Sequence, residues 1–469
     1  MDQSLQERLH LVLEQQRTAF HAEMSPGLAI RQDRLHRVKA MTSKYADELV
    51  AAISRDFGHR ARQETLLADV FTVEASATHA LRHLRAWMKP RRMPTALHFL
   101  PASNRLLRQP LGVVGIVSPW NYPYNLAMNP ALAALAAGNR VMIKPSELTP
   151  ETSALMARMV GEFFAPDEMQ VVCGDAETGR AFVTLPFAHL FFTGSTAVGR
   201  LVAKAAAHNL TPVTLELGGK SPALIDRSCD LKLTATRLAF GKLLNAGQTC
   251  VAPDYVLAPR ELIPALVGEL QAAIQALYPS LDNNPDYTSI ATARHHDRLQ
   301  ALLADAKAKG ARLIPSHSET VSGRKLVPHL LLDMTDEMTV MREEIFGPLL
   351  PIMAYDSIEE ALAYINRHDK PLALYWFGQD GAAQQQVLEQ THAGGVTIND
   401  CIWHLAQEDQ PFGGVGASGS GSYHGEWGFR TFSKEKPVFI QSRFAGTKLF
   451  HPPYGKTFDR LLAVLKRVA

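Results

Sequence analysis

Three residues far apart in the chain have side chains suited to acyl chemistry. Cys250 lies in NAGQTCVAPD, where its thiol is either a nucleophile or a small buried spacer. Glu216 lies in LELGGKSP between two leucines, where a carboxyl becomes a general base unless a cation such as Lys220 pairs with it. Asn121 lies in PWNYPYN, where its amide either donates to an oxyanion or satisfies a turn. Local sequence leaves each pair of alternatives open.

Glycines in FFTGSTAVG indicate a phosphate site. Gly194 and Gly199 lie between an apolar strand and an amphipathic helix, where free amides and the helix dipole favour an anion. Their spacing matches neither the G-x-G-x-x-G fingerprint nor a Walker loop, so a tight turn with a helix cap remains the alternative. Upstream, IKPSE supplies Lys144 and Glu147, which could hold ribose hydroxyls. Because this acid precedes the glycines, a dinucleotide must bind in a variant way or not at all.

Other polar residues carry weaker signals. Glu344 in EEIFGP could pair with Glu216 as in glycoside hydrolysis, although sequence gives no separation between them. The glycine-rich loop PFGGVGASGSGSYHG ends near His424. His295 is expected at a helix start without metal-ligand spacing, and Cys173 is expected to be a small core residue.

Strand-length apolar segments alternate with helical segments through most of the chain. GVVGIVSP, RVMIKPS, MQVVCG and HLFFTGS are expected strands, and the segments between them have helical periodicity. The same alternation resumes after residue 217, and beyond residue 411 it gives way to glycine-rich and aromatic loops. This pattern predicts an α/β protein with two parallel-sheet domains, each covered by helices.

Composition narrows the function classes. At 469 residues, the chain is too long for one core. Its 48 basic and 46 acidic residues give no reason to expect nucleic acid as a partner. The four cysteines are widely spaced, which favours a reduced, intracellular protein without a structural metal. No signal-peptide pattern or membrane-length apolar run is present, so we expect a cytoplasmic protein with no membrane anchor.

Seven motifs together resemble the aldehyde dehydrogenase superfamily. They are PWNYP, KPSE, FTGS, LELGGKSP, GQTC, EEIFGP and PFGG, and they occur here in the order seen in that superfamily. The resemblance spans roughly residues 20 to 440. NAGQTCVAPDY, INDC and GSYHG are typical of its class 3 branch, and among bacterial members the chain is similar to coniferyl aldehyde dehydrogenases.

The resemblance implies roles for the three acyl-chemistry residues. Cys250 would attack the aldehyde carbonyl, and Asn121 with the Cys250 backbone amide would hold the oxyanion. After hydride transfer to a nicotinamide, Glu216 would activate the water that hydrolyses the thioester. The product would be a carboxylic acid.

The resemblance also implies a dinucleotide site. Lys144 and Glu147 would contact the adenosine ribose, Ser195 and its neighbours the pyrophosphate, and Glu344 the nicotinamide ribose. A carboxylate at Glu147 favours NAD over NADP because it would repel a 2′-phosphate, although the branch accepts both. The expected cofactor-binding residues are Trp120, Lys144, Glu147, Gly194, Ser195, Gly199, Leu217, Glu344 and Phe346.

The expected substrate pocket is aromatic. Tyr122, Asn125 and Phe240 match positions of the aldehyde channel in the class 3 branch, with His424 near its mouth. Phe240 stands where many class 3 enzymes carry tryptophan. Such walls suit an aromatic or medium-chain aldehyde, although aromatic residues in large domains are more often plain core.

The expected organisation has four parts. Residues 1–81 and 108–216 would form the NAD-binding domain, and 217–395 the catalytic domain. Residues 82–107 and 396–445 would form a β arm that bridges a homodimer, and 446–469 a short basic amphipathic tail. Two alternatives remain, namely a cysteine hydrolase that uses Cys250 with a histidine such as His424 and no nucleotide, and a catalytically silent relative.

Overall fold

Three β-sheets and their covering helices form the protein in a computed structural model that describes residues 3–468. Residues 1, 2 and 469, which belong to the expected first domain and tail, lie outside the described residues. The strands are β1 Arg91–Met93, β2 Ser103–Pro110, β3 Val113–Val117, β4 Arg140–Lys144, β5 Met169–Val171, β6 His189–Thr193, β7 Val213–Glu216, β8 Pro222–Ile225, β9 Tyr255–Pro259, β10 Arg312–Pro315, β11 His329–Leu332, β12 Leu349–Tyr355, β13 Ala373–Phe377, β14 Gly395–Ile398, β15 Gly419–Ser420 and β16 Ser433–Ile440.

Helices connect most of these strands. They are α1 Gln3–Ala22, α2 Leu28–Lys44, α3 Ala46–Phe57, α4 Arg62–Thr65, α5 Thr72–Trp87, α6 Asn125–Ala137, α7 Pro150–Phe163, α8 Ala176–Phe182, α9 Thr196–Ala207, α10 Leu231–Leu243, α11 Ile263–Leu277, α12 Ala293–Ala308, α13 Thr339–Arg342, α14 Ile358–Asn366, α15 Gly381–Gln390, α16 Gly425–Thr431 and α17 Lys456–Val468. A π-helical segment, Leu66–Phe71, joins α4 to α5.

The first parallel sheet has the strand order β15-β7-β6-β3-β4-β5. Only the two-residue strand β15 is antiparallel to its neighbour. Strands β4 and β6 are buried throughout, as is β3 except at its last residue, because helices cover both faces. The continuous apolar runs in the sequence predicted this arrangement, and the prediction is confirmed.

The second sheet has the order β10-β11-β12-β9-β8-β13-β14, with β10 antiparallel at one edge and the other neighbours parallel. The predicted α/β architecture with two parallel-sheet units is therefore confirmed. The central helix α6 is buried at every position after Asn125. It ends at Gly138, which has φ +95°, and a Cβ there would lie 2.8 Å from Pro110.

The third sheet is antiparallel and has the order β1-β2-β16. Strand β16 pairs with β2 over eight residues, from Ser433 opposite Pro110 to Ile440 opposite Ser103. Beyond residue 411, β16 and α16 lie among the expected glycine-rich and aromatic loops. The sheets also cross two expected boundaries, since β2 runs past residue 107 and β14 past residue 395.

The C-terminal helix α17 is amphipathic and basic at its end. Its Leu462 and Val464 are 38% and 57% exposed, so the rest of this chain does not bury them. Among residues 3–468 no helix combines the length and apolar character needed to cross a bilayer.

Candidate active site

One cleft of about 740 Å³ is lined by segments that adjoin both parallel sheets. It takes residues from the loop after β3, the start of α9, the crossover after β7 and the segments before β9 and β12. The expected site residues that line it are Trp120, Asn121, Gly194, Ser195, Glu216, Leu217, Cys250, Glu344 and Phe346. The three candidate catalytic residues therefore face a common space.

A turn with left-handed backbone angles precedes Cys250 and positions it at this cleft. Asn245, Ala246 and Gly247 all have φ between +51° and +76°, a left-handed run that reverses the chain after α10. The Asn121 side chain donates from Nδ2 to the carbonyl oxygen of Gln248 at 3.1 Å. The asparagine is thus tied to the loop that carries the cysteine, rather than to a turn of its own.

Glu216 ends strand β7 and is only 1% exposed. Neither of its carboxyl oxygens has a hydrogen-bond partner within the described part of the chain. Burial, with the nearby Glu344 carboxylate as a second cause, raises the pKa of Glu216 to about 8. Such a carboxyl can exchange a proton near neutral pH, as a general base requires.

Lys220 does not form the ion pair with Glu216 that the sequence left open. Lys220 donates instead to Asp254, and also to the carbonyl oxygens of Val340 at 2.8 Å and Glu343 at 3.0 Å. The base therefore has no counter-charge from this lysine.

Glu344 lies against the crossover between β7 and β8. Its Oε1 accepts from the Gly219 amide at 3.1 Å, and a Cβ at Gly218 would overlap its carboxylate. Burial first, and then the charge of Asp254, raises the pKa of Glu344 to about 8. Glycine at position 218 is therefore required for this close approach.

The surroundings of Cys250 disfavour its thiolate form. Burial, followed by the charges of Glu216 and Glu344, raises its pKa well above the ordinary value. A nucleophilic thiolate therefore needs a proton acceptor nearby or added positive charge in the cleft.

The segment in which we expect a phosphate site lies at the start of α9. Ser195 caps the helix, accepting on Oγ from the Val198 amide at 3.4 Å, and Thr196 and Ala197 line the cleft. Gly199 faces inward, where a Cβ would lie 2.7 Å from a Leu217 methyl group. Gly199 thus allows α9 to pack closely against Leu217. The backbone amides of the first turn of α9 lack acceptors within the helix, as they do in any helix.

Lys144 and Glu147 lie outside the residues that line the cleft. Their side chains form an ion pair of 3.0 Å at the carboxyl end of β4, next to β3 in the same sheet. Lys144 is 2% exposed, whereas the Glu147 side chain is 43% exposed. The carboxylate is therefore the group that faces solvent.

Aromatic rings form one wall of the cleft. Trp120 makes edge contacts with Phe346 at 5.4 Å and with His295 at 5.5 Å between ring centroids. His295 Nε2 bonds the Phe346 carbonyl oxygen at 2.7 Å, and burial lowers the pKa of this histidine to about 4. His295 lies in the first turn of α12 as expected, but no sequence pattern indicated that it would also line the cleft.

None of the four expected substrate-pocket residues lines this cleft. Tyr122 hydrogen-bonds Thr249 at 2.6 Å, and Asn125 donates to the Ala68 carbonyl oxygen at 2.7 Å. Phe240 stacks on Trp403 at 6.0 Å, and half-buried His424 stacks on Phe412 at 5.3 Å. Their assignment to the substrate stays a prediction.

Several buried polar residues around the cysteine loop were not identified from the sequence. Asn245 donates to the Asn121 carbonyl oxygen at 3.0 Å and Gln248 donates to the Ser289 carbonyl oxygen at 3.1 Å. No local pattern distinguishes such residues from ordinary loop polar residues. The expectation for Cys173 is wrong, because this residue is exposed at the end of the short strand β5.

Comparisons with known proteins agree with this geometry. The model of the aldehyde dehydrogenase family matches residues 2–438. A probable coniferyl aldehyde dehydrogenase of Pseudomonas aeruginosa is 49% identical over 98% of this chain and 97% of its own length. The coniferyl aldehyde dehydrogenase of a Pseudomonas species is 47% identical over 98% of this chain and 96% of its own length. Class 3 members also occur among the relatives.

A solved structure has the same fold. The substrate-bound state of a Staphylococcus aureus aldehyde dehydrogenase superimposes with a TM-score of 0.93 at 36% identity, covering 97% of this chain and 99% of that one. The chain therefore belongs to the aldehyde dehydrogenase family and is an oxidoreductase that acts on aldehydes.

Proposed function

We propose that the chain oxidises an aromatic aldehyde such as coniferaldehyde, or a medium-chain aliphatic aldehyde, to its carboxylic acid with NAD. The observation that carries this proposal is that Cys250, Asn121 and Glu216 line one cleft, in which the Glu216 carboxyl is buried and unpaired within residues 3–468. A nucleophile, an amide donor and a base of raised pKa are the groups that acyl chemistry through a thioester needs.

The first step is addition of Cys250 to the aldehyde carbonyl. The thiol gives its proton to a water molecule in the cleft, so Glu216 remains available as the base of the later hydrolytic step. The carbonyl oxygen gains negative charge as the S–C bond forms. Asn121 Nδ2 and the Cys250 backbone amide stabilise this oxyanion.

The residues around the cleft fit a dinucleotide. The capped start of α9 offers free amides for a pyrophosphate, Glu344 is available for the nicotinamide ribose, and Trp120 and Phe346 supply flat walls. We assign the adenosine ribose to Lys144 and Glu147, which form an ion pair at the carboxyl end of β4. A bound oxidised nicotinamide would supply the hydride acceptor and add positive charge to the cleft.

The last step is hydrolysis of the Cys250 thioester. Glu216 takes a proton from water, and the hydroxide adds to the thioester carbonyl. The S–C bond then breaks, and the thiol is regenerated with release of the acid. A carboxyl with a pKa near 8 suits this role, because it is ionised in part at neutral pH and regains the proton readily.

The structure favours this chemistry over a cysteine hydrolase without nucleotide. His424, the histidine considered for that alternative, stacks on Phe412 and is absent from the residues that line the Cys250 cleft. The ends of β3, β4 and β6 with α9 offer a dinucleotide site that a hydrolase does not need.

We base the proposed substrate on the relatives, and the proposed assembly and location on the sequence. Two relatives at 47–49% identity are named for coniferyl aldehyde, which supports an aromatic substrate in this chain. The first parallel sheet would bind the cofactor and the second would carry Cys250. The β1-β2-β16 sheet would bridge a cytoplasmic homodimer.

The direct test follows NADH absorbance with NAD and a panel of coniferaldehyde, benzaldehyde, hexanal and acetaldehyde. We expect Cys250-dependent NADH formation that is fastest with coniferaldehyde, and none with Cys250→Ala. Absence of signal with either NAD or NADP across the panel would overturn the proposal.

A further inference from the structure

Asn245 links the two loops that supply the oxyanion donors. Its Nδ2 donates to the Asn121 carbonyl oxygen at 3.0 Å and to the Gln248 carbonyl oxygen at 3.2 Å. Asn121 in turn donates to that same Gln248 oxygen. Because Asn245 has φ +54°, its side chain reaches both loops only while its backbone stays left-handed.

The helical segment after α3 holds this arrangement from outside the cleft. In α4, Glu64 accepts on Oε1 from the Asn245 backbone amide at 2.9 Å and on Oε2 from the Thr288 hydroxyl at 2.5 Å. Arg60, just before α4, donates to the Asn121 carbonyl oxygen at 3.1 Å and pairs with fully buried Asp69 at 3.2 Å. Neither Arg60 nor Glu64 lines the cleft.

We propose that Glu64 is a positioning residue for the oxyanion site, acting by holding the left-handed Asn245 backbone whose side chain joins Asn121 to the Cys250 loop. Arg60 fixes the other loop in the same way. The inference rests on the proposed function, because it takes Asn121 and the Cys250 amide as the oxyanion donors. Neither residue touches the reacting atoms, so the predicted effect is on the geometry of the two donors.

The test uses p-nitrophenyl acetate without any nucleotide. The Cys250 thiolate attacks the ester carbonyl, an oxyanion forms, the C–O bond breaks, and p-nitrophenolate leaves an acetyl thioester. The burst of p-nitrophenolate therefore measures nucleophile and oxyanion site separately from hydride transfer. Its amplitude counts competent chains, and its rate constant reports how well the donors are placed.

We expect Glu64→Ala to lower the burst rate constant about tenfold, at unchanged amplitude and unchanged half-saturating ester concentration. Glu64→Gln should stay within about threefold of the parent, because its amide oxygen still accepts the Asn245 amide. The exposed neighbour Gln63, changed to alanine, is the matched control and should leave the rate constant as it is.

An unchanged rate constant in Glu64→Ala would overturn the inference. A lower amplitude at full rate constant would also overturn it, since that result means only that fewer chains fold. A burst that persists in Cys250→Ala would instead overturn the nucleophile assignment of the proposed function, which separates the two failures.

Discussion

Lys220 pairs with Asp254 and not with Glu216, although only three residues separate Glu216 from Lys220 in the chain. The other Asp254 oxygen accepts from the Ile345 amide at 2.9 Å, so the pair joins the crossover after β7 to the segment that carries Glu344. The lysine thus fixes the cleft wall and gives no counter-charge to Glu216, whose pKa burial raises to about 8. Because Glu216 has no paired cation, its ability to gain and lose a proton can be tested through the pH dependence of stability and through the hydrolytic step.

The first prediction concerns stability against pH. The pKa of Glu216 is raised from 4.5 to about 8 in the folded protein, so the unfolded chain loses this proton first as the pH rises. The stabilising contribution is complete below the unfolded pKa and is lost as the pH passes through the folded pKa. The melting temperature of Glu216→Gln relative to the parent should therefore rise between about pH 5 and about pH 9.

Exposed Glu337, changed to glutamine, is the control for that experiment. Its melting temperature relative to the parent should not vary with pH over the same range. If the melting-temperature difference between Glu216→Gln and the parent also stayed constant with pH, the raised pKa of Glu216 would be contradicted.

The second prediction concerns the order of events. Glu216→Gln keeps the shape of the side chain but cannot take a proton from water, so hydrolysis of the thioester should fail. Stopped-flow absorbance should still show one equivalent of NADH per active chain in a single turnover, followed by a stalled steady state. If burst and turnover fell equally, Glu216 would not be the base of the hydrolytic step.

The third prediction concerns cofactor preference. The exposed Glu147 carboxylate should repel a 2′-phosphate, so Glu147→Gln should raise kcat/KM for NADP by about tenfold. The value for NAD should fall slightly, because a neutral amide is a weaker acceptor for a ribose hydroxyl. Glu151→Gln, an exposed change on the neighbouring helix α7, serves as control, and an unchanged NADP value in Glu147→Gln would place the adenosine ribose elsewhere.

The fourth prediction concerns the turn before the cysteine. Gly247 has φ +76°, and a Cβ there would overlap the Gly347 carbonyl group, so Gly247→Ala should destabilise the fold by more than about 2 kcal/mol. Gly268 lies in helix α11 with no atom within 4 Å of an added Cβ. Gly268→Ala should stabilise by about 0.5–1 kcal/mol, and urea unfolding measures both. Equal effects of the two changes would show that the turn tolerates a side chain.

Much of the two parallel sheets could be predicted from the sequence, because strands buried on both faces consist of continuous apolar residues. Strands β3, β4 and β6 are of this kind. The position of strand β16 within the expected β arm could not be predicted, because the side chains of SKEKPVFI are exposed or half-buried and lack a core pattern. Its partner lies more than three hundred residues away in the chain.

The site was predictable only where a residue type is unusual in its surroundings. A carboxylate among leucines identified Glu216, and glycines before a helix identified the start of α9. The choice of Asp254 as the partner of Lys220, and of Glu64 as the acceptor for Asn245, depends on contacts between distant segments. Cys173 was expected in the core because its neighbours are apolar, yet β5 is short and the residue follows its end.

The antiparallel strand β15 places Gly419 opposite Glu216 at the edge of the first sheet, and the Leu217 amide donates to the Ser418 carbonyl oxygen at 3.1 Å. The strand that carries the base is therefore completed by residues some two hundred positions later. During synthesis on the ribosome, the outer edge of β7 therefore has no pairing partner until residues 418–420 have been made. A chain that ends before residue 418 would keep this edge unpaired. An unpaired strand edge promotes aggregation and binding by chaperones, so such a truncated chain would both lose activity and tend to aggregate.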